Sequence, residues 1–176
     1  SLKNDKIYLN MAKKFWIDRN RLKDPMFWFM KAWAYSSTCS FIWEEFPKVA
    51  YPVEKPELSI NAIRSTPYLT GLASELFMKG YLIFKGEKPS GVIELKHDLR
   101  ALRQKCAEYG DTRFTNEDLM FLTDDCGEQL MDNGGIRYPN IHEMPVFSEF
   151  KAALKILQQI SGEVDSVLIK KQPKSI

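Results

Sequence analysis

The chain has 176 residues, of which 44% are hydrophobic and 27% are charged, with a net charge of +2. A chain of this length buries about 70% of its unfolded surface, so a hydrophobic core can stabilise it without a metal or a disulfide. The near balance of 25 Lys and Arg against 23 Asp and Glu disfavours nucleic-acid binding driven by the charge of the whole surface, and no apolar run reaches the ~18 residues of a membrane-spanning helix.

The first half of the chain has apolar residues at helical spacing. Residues 6–18 predict an N-terminal helix, which is broken by the polar residues Arg19, Asn20 and Arg21. Asp24 followed by Pro25 is a typical helix start, with Asp as the cap, and predicts a long helix from Met26 to Phe46. The segment 51–57 (YPVEKPE) contains two prolines and is expected to be a connector.

A second long helix is expected to start after Pro67 and to run to about Lys85, with Gly86 closing it. Gly71 and Gly80 lie inside this helix, where each costs ~1 kcal/mol of helix propensity relative to Ala. Close approach of another helix is a reason to keep them.

The second half predicts a loop over 86–96 and a helix over 98–109. The pattern Thr115-Asn116-Glu117-Asp118 is typical of a helix N-terminus and predicts a helix to about Met131. Residues 136–145 have too many prolines for a helix, and 148–169 predict the last one.

No stretch alternates polar and apolar residues as a strand does. The sequence therefore predicts an all-α, up-and-down bundle of five to six helices. We expect a single domain over 1–176, with its core at about 25–169, an N-terminal helix in 1–23 and a polar tail at 170–176.

Three cysteines, Cys39, Cys106 and Cys126, are widely spaced in apolar segments and form no Cys-x-x-Cys motif. This pattern favours reduced, buried thiols in a cytoplasmic protein. We expect neither a metal site nor a cofactor.

Four polar residues lie in or beside strongly apolar helices: Glu75, Lys79, His97 and Asp98. Glu75 and Lys79 are spaced to form an i,i+4 ion pair. His97 and Asp98 stand at a helix start, where Asp complements the helix dipole and His can cap the helix or turn inward towards Glu75. Both a buried structural network and a binding site, with His97 in proton transfer or phosphate contact, are open interpretations.

Other charged residues are expected to lie on solvated helix faces, although the two basic groups among them could instead form a local basic patch that binds nucleic acid. They include Asp124, Asp125 and Glu128, and two groups of basic residues, namely Lys85, Lys96, Arg100, Arg103 and Lys105, and then Lys170, Lys171 and Lys174.

Arg137 and His142 form an Arg-x4-His pattern. Arg can stabilise the charge of a phosphoryl transition state and His can move the proton of a ribose hydroxyl, so this pair is in principle sufficient for metal-independent RNA cleavage. A structural loop is the competing interpretation, because Pro139 keeps the two residues off one helix face.

Three segments together resemble the HEPN family (higher eukaryotes and prokaryotes nucleotide-binding domain), in particular its stand-alone bacterial proteins. They are YLTGLASELFMKGYLIFKG, KHDLRALRQKCAEYG and GGIRYPN, within about residues 67–140. The shared positions are Ala73, Glu75 and Lys79 in one helix, then His97, Asp98, Leu99 and Leu102, then Arg137, Tyr138 and Pro139.

The resemblance implies an all-α fold, often dimeric, and a nucleotide- or RNA-related role such as defence or toxin–antitoxin function. It implies a phosphate-binding site around Glu75, Lys79, His97 and Arg137, with Asp98 and Tyr138 beside them. Some members are endoribonucleases with an Arg-x4-6-His motif, which Arg137 and His142 match in spacing, although Tyr138 and Pro139 replace the polar helical residue of that motif. The alternatives are thus a nucleotide- or RNA-binding protein, a ribonuclease, and a structural or interaction dimer.

Overall fold

The computed structural model describes residues 20–44, 56–127 and 147–171. Its α-helices, numbered in chain order, are α1 (Pro25–Glu44), α2 (Pro56–Phe84), α3 (Pro89–Glu94), α4 (Leu99–Ala107), α5 (Glu117–Met120) and α6 (Phe147–Lys171). Arg21–Lys23 and Thr112–Thr115 are 3-10 helices, and Phe121–Asp125 is a π-helix that continues α5. These residues contain no strand, so the prediction of an all-α bundle is confirmed.

The core lies where α1, α2 and α6 pack together, with α4 and α5 closing one side. Its largest fully buried side chains come from all of these elements and from the short Thr112–Thr115 helix. They are Phe29, Phe77, Phe114, Phe150, Met78, Leu82, Leu99, Leu102, Leu119, Leu122 and Leu157. The three cysteines are free and buried, as their apolar surroundings predicted.

Helices α1 and α2 approach closely at Gly80. A methyl group at this position would lie 2.6 Å from Cε1 of Phe29, well inside van der Waals contact. Phe77, one turn earlier, packs against Phe29 and meets the ring of Trp33 edge to face at 5.8 Å. Gly80 is therefore required by packing, as its position inside a helix suggested.

Polar contacts join α1 to α6 beside this apolar core. The indole nitrogen of Trp33 donates a hydrogen bond to Ser161 Oγ at 3.1 Å. The amide of Gln158 donates to Ser36 Oγ at 3.2 Å. Ser36 and Ser161 are fully buried, and a buried hydroxyl without a hydrogen bond would destabilise the fold. These bonds therefore stabilise the packing of α1 on α6 and set the register between the two helices.

Helix α2 begins at Pro56, well before the start predicted after Pro67, so Pro67 lies inside the helix. A proline lacks the N–H of a helical hydrogen bond, so it usually ends a helix. Here Pro67 is buried, and the flanking Thr66 and Thr70 are packed against Cys39 of α1, whose thiol lies 3.7 Å from the Thr66 carbonyl. Tertiary packing thus outweighs the local preference.

The predicted loop over 86–96 contains helix α3, which was missed. Lys88 is extended and Pro89 occupies the first turn, where its missing N–H costs nothing. The helix has six residues, too few to show a periodic apolar pattern. It is nevertheless important, because it carries the chain towards His97.

The helix starts predicted in the second half are confirmed. Asp98 caps α4 by accepting a hydrogen bond from the Ala101 N–H at 2.8 Å, and Asn116 caps α5 through the Asp118 N–H. The predicted helix after Asn116 widens into the π-helix. The predicted helix 6–18, the segment 136–145, the C-terminal end near Met131 and the tail from 172 lie outside the described residues.

Candidate functional site

The candidate site is a cluster of three side chains around the Glu75 carboxylate. Lys79 Nζ lies 2.5 Å from Oε1, and His97 Nδ1 lies 2.9 Å from Oε2. The structure thus brings together three of the predicted site residues. It also selects the inward orientation among those considered for His97.

The three side chains differ sharply in exposure. The Glu75 and Lys79 side chains are 5% and 7% exposed, whereas that of His97 is 59% exposed. The ammonium of Lys79 also lies over the indole ring of Trp28, 5.9 Å from its centroid. A buried ion pair therefore supports a histidine that reaches solvent.

The backbone before α4 sets the position of His97. After α3 ends at Glu94, Lys96 adopts the left-handed conformation, with φ of 49°. A left-handed residue at this point is the usual way to reverse the chain after a helix, although the residue is usually Gly. The reversal turns His97 back towards α2, 22 residues earlier in the sequence.

Asp98 has a different role from the other three. Its carboxylate caps α4 and is exposed, and none of its hydrogen bonds goes to Glu75 or Lys79. It anchors the start of the helix next to His97. It is a positioning residue here, and the alternative of His97 as the cap is wrong.

The arrangement has a clear chemical capacity. A carboxylate that contacts one imidazole nitrogen fixes the ring orientation and favours a proton on that nitrogen. Nε2 of His97 then faces outward as an acceptor, or as a donor when the ring is protonated. This is the geometry of an imidazole prepared for proton transfer or for contact with an anion.

Arg137, Tyr138 and His142 lie outside the described residues. The phosphate site that includes Arg137 and Tyr138, and the Arg137–His142 ribonuclease pair, therefore remain predictions.

A second polar cluster was missed by the sequence analysis. Arg103, expected on a solvated face, is buried. It donates to both carboxylate oxygens of Asp124, at 3.0 and 2.7 Å, to the Thr123 hydroxyl at 3.0 Å and to the Phe114 carbonyl at 3.0 Å. The expectation that Asp124 is solvated is wrong for the same reason.

The Arg103 cluster includes two residues of the π-helix. Thr123 and Asp124 lie in that wide turn, and both face Arg103 of α4. Burial raises the pKa of the Asp124 carboxyl, but the hydrogen bonds from Arg103 and Thr123 outweigh it and hold the pKa below its usual range. All the groups are satisfied within the protein, which indicates a structural clamp between α4 and the end of α5.

The cysteines do not form a reactive site in this structure. Burial raises the pKa of Cys39 and of Cys126 to about 11, and that of Cys106 well above its usual value. A thiol is nucleophilic only as the thiolate, so these groups are inert at neutral pH. Within residues 20–44, 56–127 and 147–171, no group of three or more His, Cys, Asp or Glu side chains could hold a metal ion.

Comparison with known proteins adds no relative: no family model, curated protein or solved structure matches the chain. In the part of the chain that the structure describes, every helix is too short or too polar to form a bilayer-spanning segment.

Proposed function

We propose that the protein is a HEPN-like helical protein that binds nucleotide or RNA, and that His97 contacts a phosphate group of the ligand. The observation that carries the proposal is the contact between the buried Glu75 carboxylate and the exposed His97 imidazole, at 2.9 Å. A histidine that serves only packing has no need of a buried, charged partner that leaves its second nitrogen in solvent.

The surroundings of His97 suit an anionic ligand. Lys96 and Arg100 flank it in the sequence, and both are exposed. With Nδ1 in contact with Glu75, the ring would donate through Nε2 to a phosphate oxygen when it is protonated, in a charge-assisted hydrogen bond. The same segment also holds the exposed carboxylates of Glu94 and Asp98, so its formal charge is balanced, and the proposal rests on the imidazole contact itself.

The resemblance to HEPN proteins completes the proposal. It supports a role in nucleic-acid metabolism, defence or a toxin–antitoxin pair, in the cytoplasm, with a homodimer as the working form. Arg137 and Tyr138 would complete the phosphate site. Light scattering on the purified protein tests the dimer.

Binding can be tested by fluorescence anisotropy with a labelled single-stranded RNA and with a labelled ATP analogue. We expect His97→Ala to weaken binding about tenfold, the typical effect of losing one charge-assisted contact. Gln104→Ala, at an exposed position of the same helix, is the matched control and should leave binding unchanged. Equal binding by wild type and His97→Ala would disprove the assignment of His97.

One observation favours the alternative that the protein is a structural or interaction dimer. Glu75 and Lys79 are almost wholly buried and neutralise each other, as expected of a network that specifies the fold. In that case wild-type protein would bind neither probe, and function would lie elsewhere on the surface.

The ribonuclease alternative has a separate test. RNA cleavage would be measured in the presence of EDTA, for wild type, Arg137→Ala and His142→Ala. Cleavage that both substitutions abolish, with RNA binding retained, would establish a metal-independent nuclease. Cleavage that persists in both would exclude this pair.

A further inference from the structure

A cleft of about 300 Å³ opens between the C-terminal end of α2, the turn at Gly110 and helix α6. This volume is at the lower end of the range of ~300–1,000 Å³ typical of small-molecule sites. Its apolar wall is formed by Ile160, Val164 and Val167 of α6, and Val167 is exposed. The cleft therefore has room and an apolar surface for a small ligand.

The polar rim of the cleft contains two cations, Arg113 and Lys85, which differ in how they are held. Arg113 is fixed by Asp111 at 2.7 Å and by Glu163 at 2.8 Å. Lys85 is exposed, and its ammonium makes no hydrogen bond or ion pair within the described residues, although its charge lies close enough to the Asp111 carboxylate to lower the pKa of that group. All three of its donors are therefore available to a ligand.

Aromatic rings surround this free cation. The Lys85 ammonium lies 5.1 Å from the centroid of the Tyr81 ring and 5.9 Å from those of Phe84 and Tyr109. Cation–π attraction of this kind holds the ammonium at the mouth of the cleft without neutralising its charge. The charge is thus positioned and still able to meet an anion.

Tyr81 adds a second unsatisfied group. It lines the cleft, and its hydroxyl is buried without a hydrogen-bond partner in the described part of the protein. Burial, followed by the nearby Asp111 carboxylate, raises the pKa of Tyr81 to about 12, so the hydroxyl keeps its proton and can donate. A buried hydroxyl without a partner is costly, and a ligand or a water in the cleft would relieve that cost.

We propose that this cleft binds a small amphipathic anion, with a carboxylate or phosphate head on Lys85 and an apolar body against Ile160, Val164 and Val167. The proposal goes beyond the His97 site. Lys79 and Tyr81 are two residues apart on α2, which separates their side chains by about 200° around the helix. The cleft and the Glu75–Lys79–His97 cluster therefore lie on opposite faces of α2.

Methyl NMR titrations of the full chain test the proposal with three probes: phenylacetate, phenyl phosphate and the neutral phenylethanol. We expect both anions to shift the methyl signals of the α6 wall saturably, with dissociation constants in the millimolar range or tighter. Phenylethanol should bind at least about tenfold more weakly. The preferred anion then tells whether the natural ligand is a carboxylate or a phosphate ester.

Two variants complete the test. Lys85→Met keeps the alkyl stem and removes the charge, and should weaken binding of the anions about tenfold. Lys155→Met, at an exposed position of α6 that does not line the cleft, is the matched control. The proposal is overturned if the anions do not bind, if phenylethanol binds equally well, or if Lys85→Met binds the anions as wild type does. His97 does not line the cleft, so His97→Ala should bind both anions as wild type does. The assays with RNA and the ATP analogue therefore test the His97 site independently of the cleft.

Discussion

The exposed His97 side chain contacts the buried carboxylate of Glu75, with 2.9 Å between Nδ1 and Oε2. The two residues belong to different helical segments, and left-handed turns at Gly86 and Lys96 lie in the chain between them. The same carboxylate binds Lys79 through its other oxygen. Stability and the proposed binding function therefore depend on one carboxylate.

The first prediction separates these two roles of Glu75. Replacing Glu75 by Leu leaves the Lys79 ammonium buried without its partner, and we expect the free energy of unfolding to fall by about 3–5 kcal/mol. Lys79→Met should cost less, because Glu75 keeps its contact with His97. Urea unfolding followed by circular dichroism measures both.

The double variant Glu75→Leu/Lys79→Met is the control. Removing both charges replaces the pair by apolar side chains, and we expect stability within about 1–2 kcal/mol of wild type. A double variant as unstable as Glu75→Leu alone would show that the loss comes from packing and not from the unpaired ammonium.

The second prediction concerns the adjacent residues His97 and Asp98. Asp98→Ala removes the cap of α4 and should lower the free energy of unfolding by about 1 kcal/mol. His97→Ala removes a mostly exposed ring and should cost less than that. A larger loss of stability for His97→Ala than for Asp98→Ala would indicate that His97 serves the fold first.

The third prediction uses the backbone at Lys96. The left-handed conformation destabilises a residue other than glycine by about 1 kcal/mol, because its Cβ crowds the backbone. We therefore expect Lys96→Gly to raise the free energy of unfolding by a few tenths to about 1 kcal/mol. The thermal midpoint should rise, and a fall would mean that the charge or the stem of Lys96 is important.

How far the sequence predicts this fold depends on where the deciding interaction lies. The capping roles of Asp98 and Asn116 can be predicted from the local sequence, and the structure confirms both. Pro67 predicts a helix start by an equally local rule, yet contacts from another helix keep α2 continuous through it. A single sequence does not show those contacts.

The candidate sites follow the same logic. Glu75 and Lys79 could be paired from their spacing, because they share one helix face. Arg103 could not be assigned to a buried clamp, since its partners Thr123 and Asp124 lie in a π-turn whose register differs from the α-helical one. The free cation at Lys85 depends on rings from two segments, and no spacing rule joins them.

The fourth prediction tests the close approach of α1 and α2. Gly80→Ala places a methyl group against the buried Phe29 ring, and we expect the free energy of unfolding to fall by about 1–3 kcal/mol despite the better helix propensity of Ala. Gly162→Ala is the matched control, because a methyl group there meets no atom within 4 Å. It should be neutral or stabilising.

The fifth prediction concerns acid. The hydrogen bonds from Arg113 hold the pKa of Asp111 below its usual range. Unfolding releases this carboxylate to its ordinary pKa of about 3.9, so its contribution is complete above that pH and is lost as pH falls through the lower, folded value. Urea unfolding should show a smaller loss of stability on acidification for Asp111→Asn than for wild type.

Glu117→Gln is the control for acid unfolding, because Glu117 is exposed and makes no ion pair within the described residues. Its stability should depend on pH as wild type does. An Asp111→Asn variant with the full wild-type acid dependence would place the important carboxylates elsewhere.

The contact between Gly80 and Phe29 also has a mechanical consequence. The α2 backbone at Gly80 lies directly against the buried Phe29 ring, which leaves little room for α2 to rotate about its axis. Helix α2 is therefore held rigidly between the face that carries Lys79 and the face that carries Tyr81. Binding events on those faces should be thermodynamically independent, each leaving the affinity of the other unchanged.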